Sequence, residues 1–324
     1  MADKVRIGCI GCGGNARGHM KRLVELEDAD LVAVCDLVQD LADSTAKEVG
    51  AKPYTDMNEM LDKEELDAAY ISIAVHVHGA PEMAVIDRGL PFLVEKPVAR
   101  DMKTAREIEK AIADKGIETA VGYQLRYTYG ATTAKEVLQG RTIGMAVAKY
   151  WCGTGRGNKW TQQMEKSGGQ ILEQATHTID MLRYLVGEID EVYNAAANRV
   201  LGNIDCPDVN GLSMRFENGA VGSMATCWHL DPSDWSNANV VDVLFDANTL
   251  HFAGGKLSIH PEIEGVDLEP RETPSIDEEF VKAVKNNDFS SIKSPYADGV
   301  KSMAVSIAAI QSAETGKAVK VSEV

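Results

Sequence analysis

The chain has 324 residues, too many for one ordinary domain, and 44% of them are hydrophobic, enough to fill two cores. A formal net charge of −16 excludes the basic surface that nucleic acid or an anionic membrane would require. No run is long and apolar enough for a signal segment or a bilayer span, so a cytoplasmic chain is expected, with its six cysteines reduced.

Over the first third, short apolar runs alternate with amphipathic segments. Strands are predicted at 5–10, 31–35, 66–73, 92–94 and 119–122, and helices at 16–26, 41–49, 82–88 and 105–113. This alternation is the pattern of a doubly wound parallel sheet, a Rossmann domain over residues 1–122. Beyond Gly122 the pattern changes. A helix is predicted at 131–138, a strand at 146–152, a Gly- and Trp-rich loop at 153–169 and a helix at 171–185. Strands then follow at 192–200, 209–216, 220–228, 240–245 and 249–252, with Asn218-Gly219 as a hairpin signal between two of them. Helices at 276–285 and about 297–313 close the chain. Residues 123–324 therefore read as an α+β domain with a large open, mostly antiparallel sheet, serving substrate binding and oligomerisation. The apolar strands at 220–228 and 240–245 carry more apolar surface than one helical layer covers, which predicts a homodimer or homotetramer.

The segment from Ile7 to Ala16 contains a G-x-G-x-x-A at Gly11, Gly13 and Ala16, with Gly14 and Asn15 between them. Gly11 suits a tight strand-to-helix turn, Gly13 lets a pyrophosphate approach the backbone, and Ala16 lets the helix pack close to the sheet. The helix N-terminus offers N–H groups to phosphates. Alone such a motif is common, but Asp36 ends the next strand at the expected spacing. Its carboxylate suits ribose hydroxyls and repels a 2′-phosphate. No Arg follows at Leu37 or Val38, so the predicted cofactor is NAD rather than NADP. Cys9 and Cys12 form a C-x-x-C inside this turn and read as buried hydrophobes rather than as a redox pair.

Glu95-Lys96-Pro97 follows a strand of this domain, and further on comes Gly168-Gly169-Gln170-Ile171-Leu172-Glu173-Gln174-Ala175-Thr176-His177-Thr178-Ile179-Asp180. With the glycine turn, these motifs resemble the glucose–fructose oxidoreductase / inositol dehydrogenase / rhizopine-catabolism (Gfo/Idh/MocA) family over nearly the whole chain. His19 in the first helix, and His78 and Gly89 ahead of Glu95, stand at that family's spacing. The resemblance implies a second domain whose sheet carries helices on one face and often an oligomer interface on the other. It also implies that Lys96 lies between nicotinamide and substrate, that His177 accepts the proton, and that Ala74, His78 and Glu95 lie beside the cofactor. Glu173 stands where many members have Asp, and Ala74-Val75 where many have Pro-Asn. Aiming Lys96 sharply from a strand end leaves a cis Lys96–Pro97 peptide open beside the trans form.

Oxidising a secondary alcohol removes a hydride and a proton. An imidazole, unperturbed near pH 6.5, suits the proton, and Lys96 suits the developing alkoxide. Glu173, His177 and Asp180, at i, i+4 and i+7, would share one face of a helix, where a carboxylate can fix the imidazole tautomer. A metal there is not expected. Tyr123, Arg126, Tyr127, Trp151, Arg156, Asn158 and Trp160, with Lys159, Trp228 and His229, are candidates for a carbohydrate-like substrate; equally, the aromatics suit a core. The leading reading is an NAD-dependent dehydrogenase of a sugar, polyol or cyclitol. Alternatives are a redox-neutral NAD-dependent glycosidase or lyase, and a non-catalytic NAD-binding sensor.

Overall fold

The structure is a computed structural model that describes residues 4–154, 160–202 and 204–324. It divides into two compact units, Met1–Gly122 with Pro274–Val300, and Tyr123–Thr273 with Lys301–Val324.

In the first unit six strands form one parallel sheet in the order β3-β2-β1-β4-β5-β6. They are β1 (Val5–Ile10), β2 (Ala29–Cys35), β3 (Lys52–Tyr54), β4 (Ala68–Ile71), β5 (Phe92–Val94) and β6 (Thr119–Val121). The central strands are covered on both faces. They are therefore nearly continuous apolar runs, and β4 and β5 are buried at every residue. The crossovers carry α1 (Gly14–Glu25), α2 (Gln39–Val49), α3 (Met57–Lys63), α4 (Ala80–Asp87) and α5 (Met102–Lys115). Their ends are punctuated locally: Asp101 caps α5 by accepting the Thr104 N–H, and α2 and α5 stop at Gly50 and Gly116 in left-handed conformation. Strand order reverses beside β1, so the carboxyl ends of β1 and β4 flank a topological switch point, where ligands of such sheets bind. β3 and α3 were not among the expected elements. The strand has three residues, contains Pro53 and lies at the sheet edge, and the helix spans seven. Neither is long enough to impose a periodicity.

The second unit begins with α6 (Tyr129–Leu138), β7 (Ile143–Trp151), α7 (Met164–Ser167), α8 (Gly169–Glu173) and α9 (Thr176–Leu185). β8 (Ile189–Ala197), β9 (Val209–Phe216), β10 (Val221–Cys227), β11 (Asn237–Phe245), β12 (Asn248–Ala253) and β13 (Lys256–His260) follow. α10 (Ile276–Asn286), α11 (Tyr296–Thr315) and β14 (Val319–Lys320) close the chain. The sheet runs β13-β12-β11-β7-β10-β9-β8-β14, antiparallel except where β7 pairs with β10. Gly219, at φ 89°, turns the β9–β10 hairpin. Strand β9 alternates strictly: Asn210, Leu212, Met214 and Phe216 are buried while Gly211, Ser213 and Arg215 are exposed. α6, α8 and α9 pack on the sheet. The expectation that everything after Gly122 belongs to the second domain is corrected by α10, which belongs to the first unit and packs against α1 and β1.

Candidate active site

In the first unit, Gly11 sits at φ 97°, and a Cβ there would lie 2.0 Å from the Ser72 carbonyl oxygen. The turn tolerates no side chain. Gly13, Gly14 and Asn15 are exposed, and a Cβ at either glycine would meet nothing, whereas Ala16 is buried where α1 packs. α1 has no side-chain cap and no acidic residue in its first turn. Its leading amides thus face an open surface suited to phosphate. Asp36 stands at the tip of β2, one carboxylate oxygen accepting the Cys12 N–H and the other the Val38 N–H, each at 3.0 Å. A carboxylate has about four lone-pair sites, so two hydrogen bonds fix its orientation and leave capacity for ribose hydroxyls. Beside it Leu37 and Val38, noted above only as lacking charge, are exposed at 87% and 58%. An exposed apolar pair directly after the strand-end acid suits the flat face of an adenine ring. These residues fit NAD.

The same sheet edge carries Lys96, half-buried after β5 and joined to Pro97 by a cis peptide. Glu95 is buried, and its carboxylate accepts the Lys96 N–H at 3.2 Å and the His19 Nε2–H at 2.9 Å. His19 also donates Nδ1–H to Asp277 at 2.6 Å, and the other Asp277 oxygen pairs with Arg22. Burial alone would lower the His19 pKa, but hydrogen bonds to Asp277 and Glu95 outweigh it and push it up to about 9. Asp277 was not anticipated. It lies 258 residues from His19, and no local pattern marks the pairing. Ala74 is half-buried beyond β4. His78 is buried and donates Nδ1–H to Glu82 at 2.6 Å, while Glu82 accepts the Gly79 N–H at 2.6 Å. That pairing sets the loop ahead of α4.

In the second unit, the single helix expected over 171–185 is two. α8 ends at Glu173, Gln174 turns off at φ −117° and ψ −49°, and α9 starts at Thr176. The i, i+4, i+7 geometry therefore fails across the break. Glu173, Gln174 and His177 are half-buried, whereas Asp180 points into the core. Asp180 does not orient the imidazole. Its oxygens accept Arg126 Nε–H at 2.8 Å, Arg126 Nη2–H at 2.6 Å and the Ser302 hydroxyl at 2.8 Å. Burial raises its pKa, and Arg126 works against that. Tyr123, Arg126 and Tyr127, expected at the substrate, are all buried. Arg126 is spent on Asp180, and the Tyr123 hydroxyl bonds Thr176 at 2.9 Å. The Tyr123 ring stands edge-on to His177, centroids 6.1 Å apart. Trp151 and Trp160 are half-buried, with the Lys149 ammonium over the Trp151 ring. Trp228 is core: its indole N–H donates to Gln174 at 2.6 Å. His229 is half-buried beyond it. Arg156, Asn158 and Lys159 lie outside the described residues.

A glycine turn fitted to a dinucleotide on a doubly wound sheet, followed by a mixed-sheet unit, defines a two-unit nucleotide-dependent oxidoreductase. The profile described as an oxidoreductase family with an NAD-binding Rossmann fold matches residues 5–123, and that of the GFO/IDH/MocA C-terminal domain matches 131–251. The chain belongs to this family, and its cofactor is NAD. It is 26% identical over 234 residues to scyllo-inositol 2-dehydrogenase (NAD(+)) of Bacillus subtilis, covering 69% of this chain and 67% of that one. It is 24% identical over 223 residues to myo-inositol 2-dehydrogenase of Thermotoga maritima, covering 67% of each. The fold matches the WlbA dehydrogenase of Bordetella pertussis, solved with NADH and UDP-GlcNAcA, at TM-score 0.84 and 22% identity over 98% of both chains.

Proposed function

We propose that the chain oxidises a secondary alcohol of a sugar, polyol or cyclitol, with Lys96 and His177 as the reacting side chains. The observation that carries the reading is the sheet edge of the first unit, where a phosphate-ready turn, a fixed ribose acceptor and Lys96 all follow the carboxyl ends of parallel strands. The relatives that bear inositol and nucleotide-sugar names support the substrate class. Bound NAD supplies the hydride acceptor. Lys96 donates a hydrogen bond to the substrate oxygen as negative charge develops there. An imidazole nitrogen of His177 takes the hydroxyl proton. Glu173, half-buried shortly before α9, is the carboxylate assigned to the imidazole, since Asp180 is bound by Arg126.

Among the described residues no helix is long and apolar enough to cross a membrane. The chain works in the cytoplasm as a homo-oligomer. The test is a screen of inositols, aldoses, anhydrosugars and sugar acids with NAD, following NADH absorbance. Turnover on one of them supports the reading. Turnover of nitrophenyl glycosides without net NADH would replace it with the redox-neutral reaction.

A further inference from the structure

We propose that His19 and Asp277 are positioning residues that hold Lys96 through Glu95. The proposal rests on the reading of Lys96 as the group that meets the substrate oxygen. Its own content is the linkage from α10 to the Lys96 amide.

The linkage is continuous. The Lys96 N–H is bound by one Glu95 oxygen at 3.2 Å, and the other takes His19 Nε2–H at 2.9 Å. His19 Nδ1–H is bound by Asp277 at 2.6 Å, and Asp277 is tied to Arg22 at the half-exposed end. His19, Glu95 and Asp277 are 2%, 5% and 0% exposed. With both carboxyls ionised, the imidazole between them donates from both nitrogens and is held as imidazolium. Glu95 also has little room to move. A Cβ on Gly122 would lie 2.8 Å from its Oε1, and the Tyr70 ring stands edge-on to His19 with centroids 5.6 Å apart. Stability alone gives no reason for such a cluster, because apolar packing of similar volume often serves as well as a buried ion network. Here the network ends on the backbone amide of a residue whose side chain must be aimed.

The groups that face His19 are Asp277 from α10, Glu95 after β5, Tyr70 of β4, Cys9 of β1 and Arg22 of its own helix. Burial drives the Cys9 thiol and the Tyr70 phenol well above their ordinary values. His19 is therefore the member of this cluster that changes charge near pH 9. On losing a proton it can satisfy only one carboxylate; with the shorter bond to Asp277 kept, the bond to Glu95 is lost and the hold on Lys96 slackens.

The test uses the full chain with NAD. Imidazole NMR of His19, assigned with His19→Gln, is followed against pH together with the Lys96 backbone amide signal. Both are expected to titrate with one midpoint near 9, as is the alkaline limb of kcat. Asp277→Asn should move all three midpoints to lower pH and cut kcat at pH 8 by about tenfold, a modest misalignment cost. NAD affinity should stay within about threefold, and Asp277→Glu should restore the profile. A neutral His19 at pH 7.5, or a Lys96 amide that ignores the His19 titration, overturns the proposal in the wild-type protein alone, whether or not Asp277→Asn folds. An unimpaired Lys96→Met enzyme overturns the role of Lys96 instead, and leaves the NMR linkage to stand or fall by itself.

Discussion

Asp36 is the strand-end side chain to which the preference for NAD over NADP is assigned. It is held by the Cys12 and Val38 amides and cannot swing aside for a 2′-phosphate, and no cation stands at the next two positions. NAD should therefore bind at least about tenfold more tightly than NADP, about 1.4 kcal/mol. Equal dissociation constants by calorimetry would sink this assignment. In the proposed roles Lys96 and His177 act on charge that develops only in the transition state, so Lys96→Met and His177→Ala should each lower kcat by about 10²-fold or more, with NAD affinity little changed. The double variant should lose less than the product of the singles, because both serve one proton transfer. A folded His177→Ala enzyme with near-normal kcat would remove His177 as the base. Asp36 and Lys96 could be singled out because each follows a predicted strand in a short local motif, and His177 because it lies in a motif that carries the family resemblance. The partners of His19 and Asp180 were not, because Asp277 and Arg126 are brought in by tertiary packing from distant segments.

At the scale of elements, the break between α8 and α9 sets Glu173 off from His177 and Asp180, which both lie on α9. Periodicity in the sequence cannot reveal it, since Ile171, Leu172, Ile179 and Leu182 keep an apolar helical pattern straight through the turn at Gln174. Gly168 and Gly169, both at φ 72°, start α8, and Gln174 ties the turn to Trp228 and Cys152. The result leaves His177 half-exposed while Asp180, three residues on, anchors α9 to Arg126 and to Ser302 of α11. Removing one partner from such a buried pair leaves a stranded charge. Arg126→Met should therefore destabilise the chain by about 3–5 kcal/mol, read as a lower urea midpoint. The double variant Arg126→Met/Asp180→Leu should recover much of that loss. A single variant with an unchanged midpoint would show that the pair is not the anchor. Long apolar strands and the hairpin at Asn218-Gly219 were read correctly from the sequence. β3, α3, α7 and β13 were missed, because three to seven residues carry too little pattern.

At the scale of the molecule, one face of the large sheet exposes a set of large apolar side chains. In one cross-strand row Leu244, Met145 and Val221 lie side by side on β11, β7 and β10 and end at Arg215 on β9. The next row runs Asp242, Val147, Ser223, Ser213 and Tyr193. Leu244, Met145, Val221, Val147 and Tyr193 are all exposed, Val221 at 47%. Five strands spaced about 4.8 Å apart and some eight residues long present a plane of about 600 Å². That is close to the roughly 800 Å² each partner buries in a stable interface. Arg215 is held near Glu191, and His251 bonds Asp242 at 2.6 Å, so polar pairs rim the apolar centre. A second copy using the same patch satisfies both sides at once, as two-fold symmetry demands. The chain should therefore run as a dimer or tetramer by light scattering at micromolar concentration. Met145→Glu/Val221→Glu places two charges per subunit at the centre of the apolar row, and should shift the chain to monomer while its circular dichroism is retained. A wild-type monomer would refute the interface, and an unshifted oligomer in the variant would move it to another face.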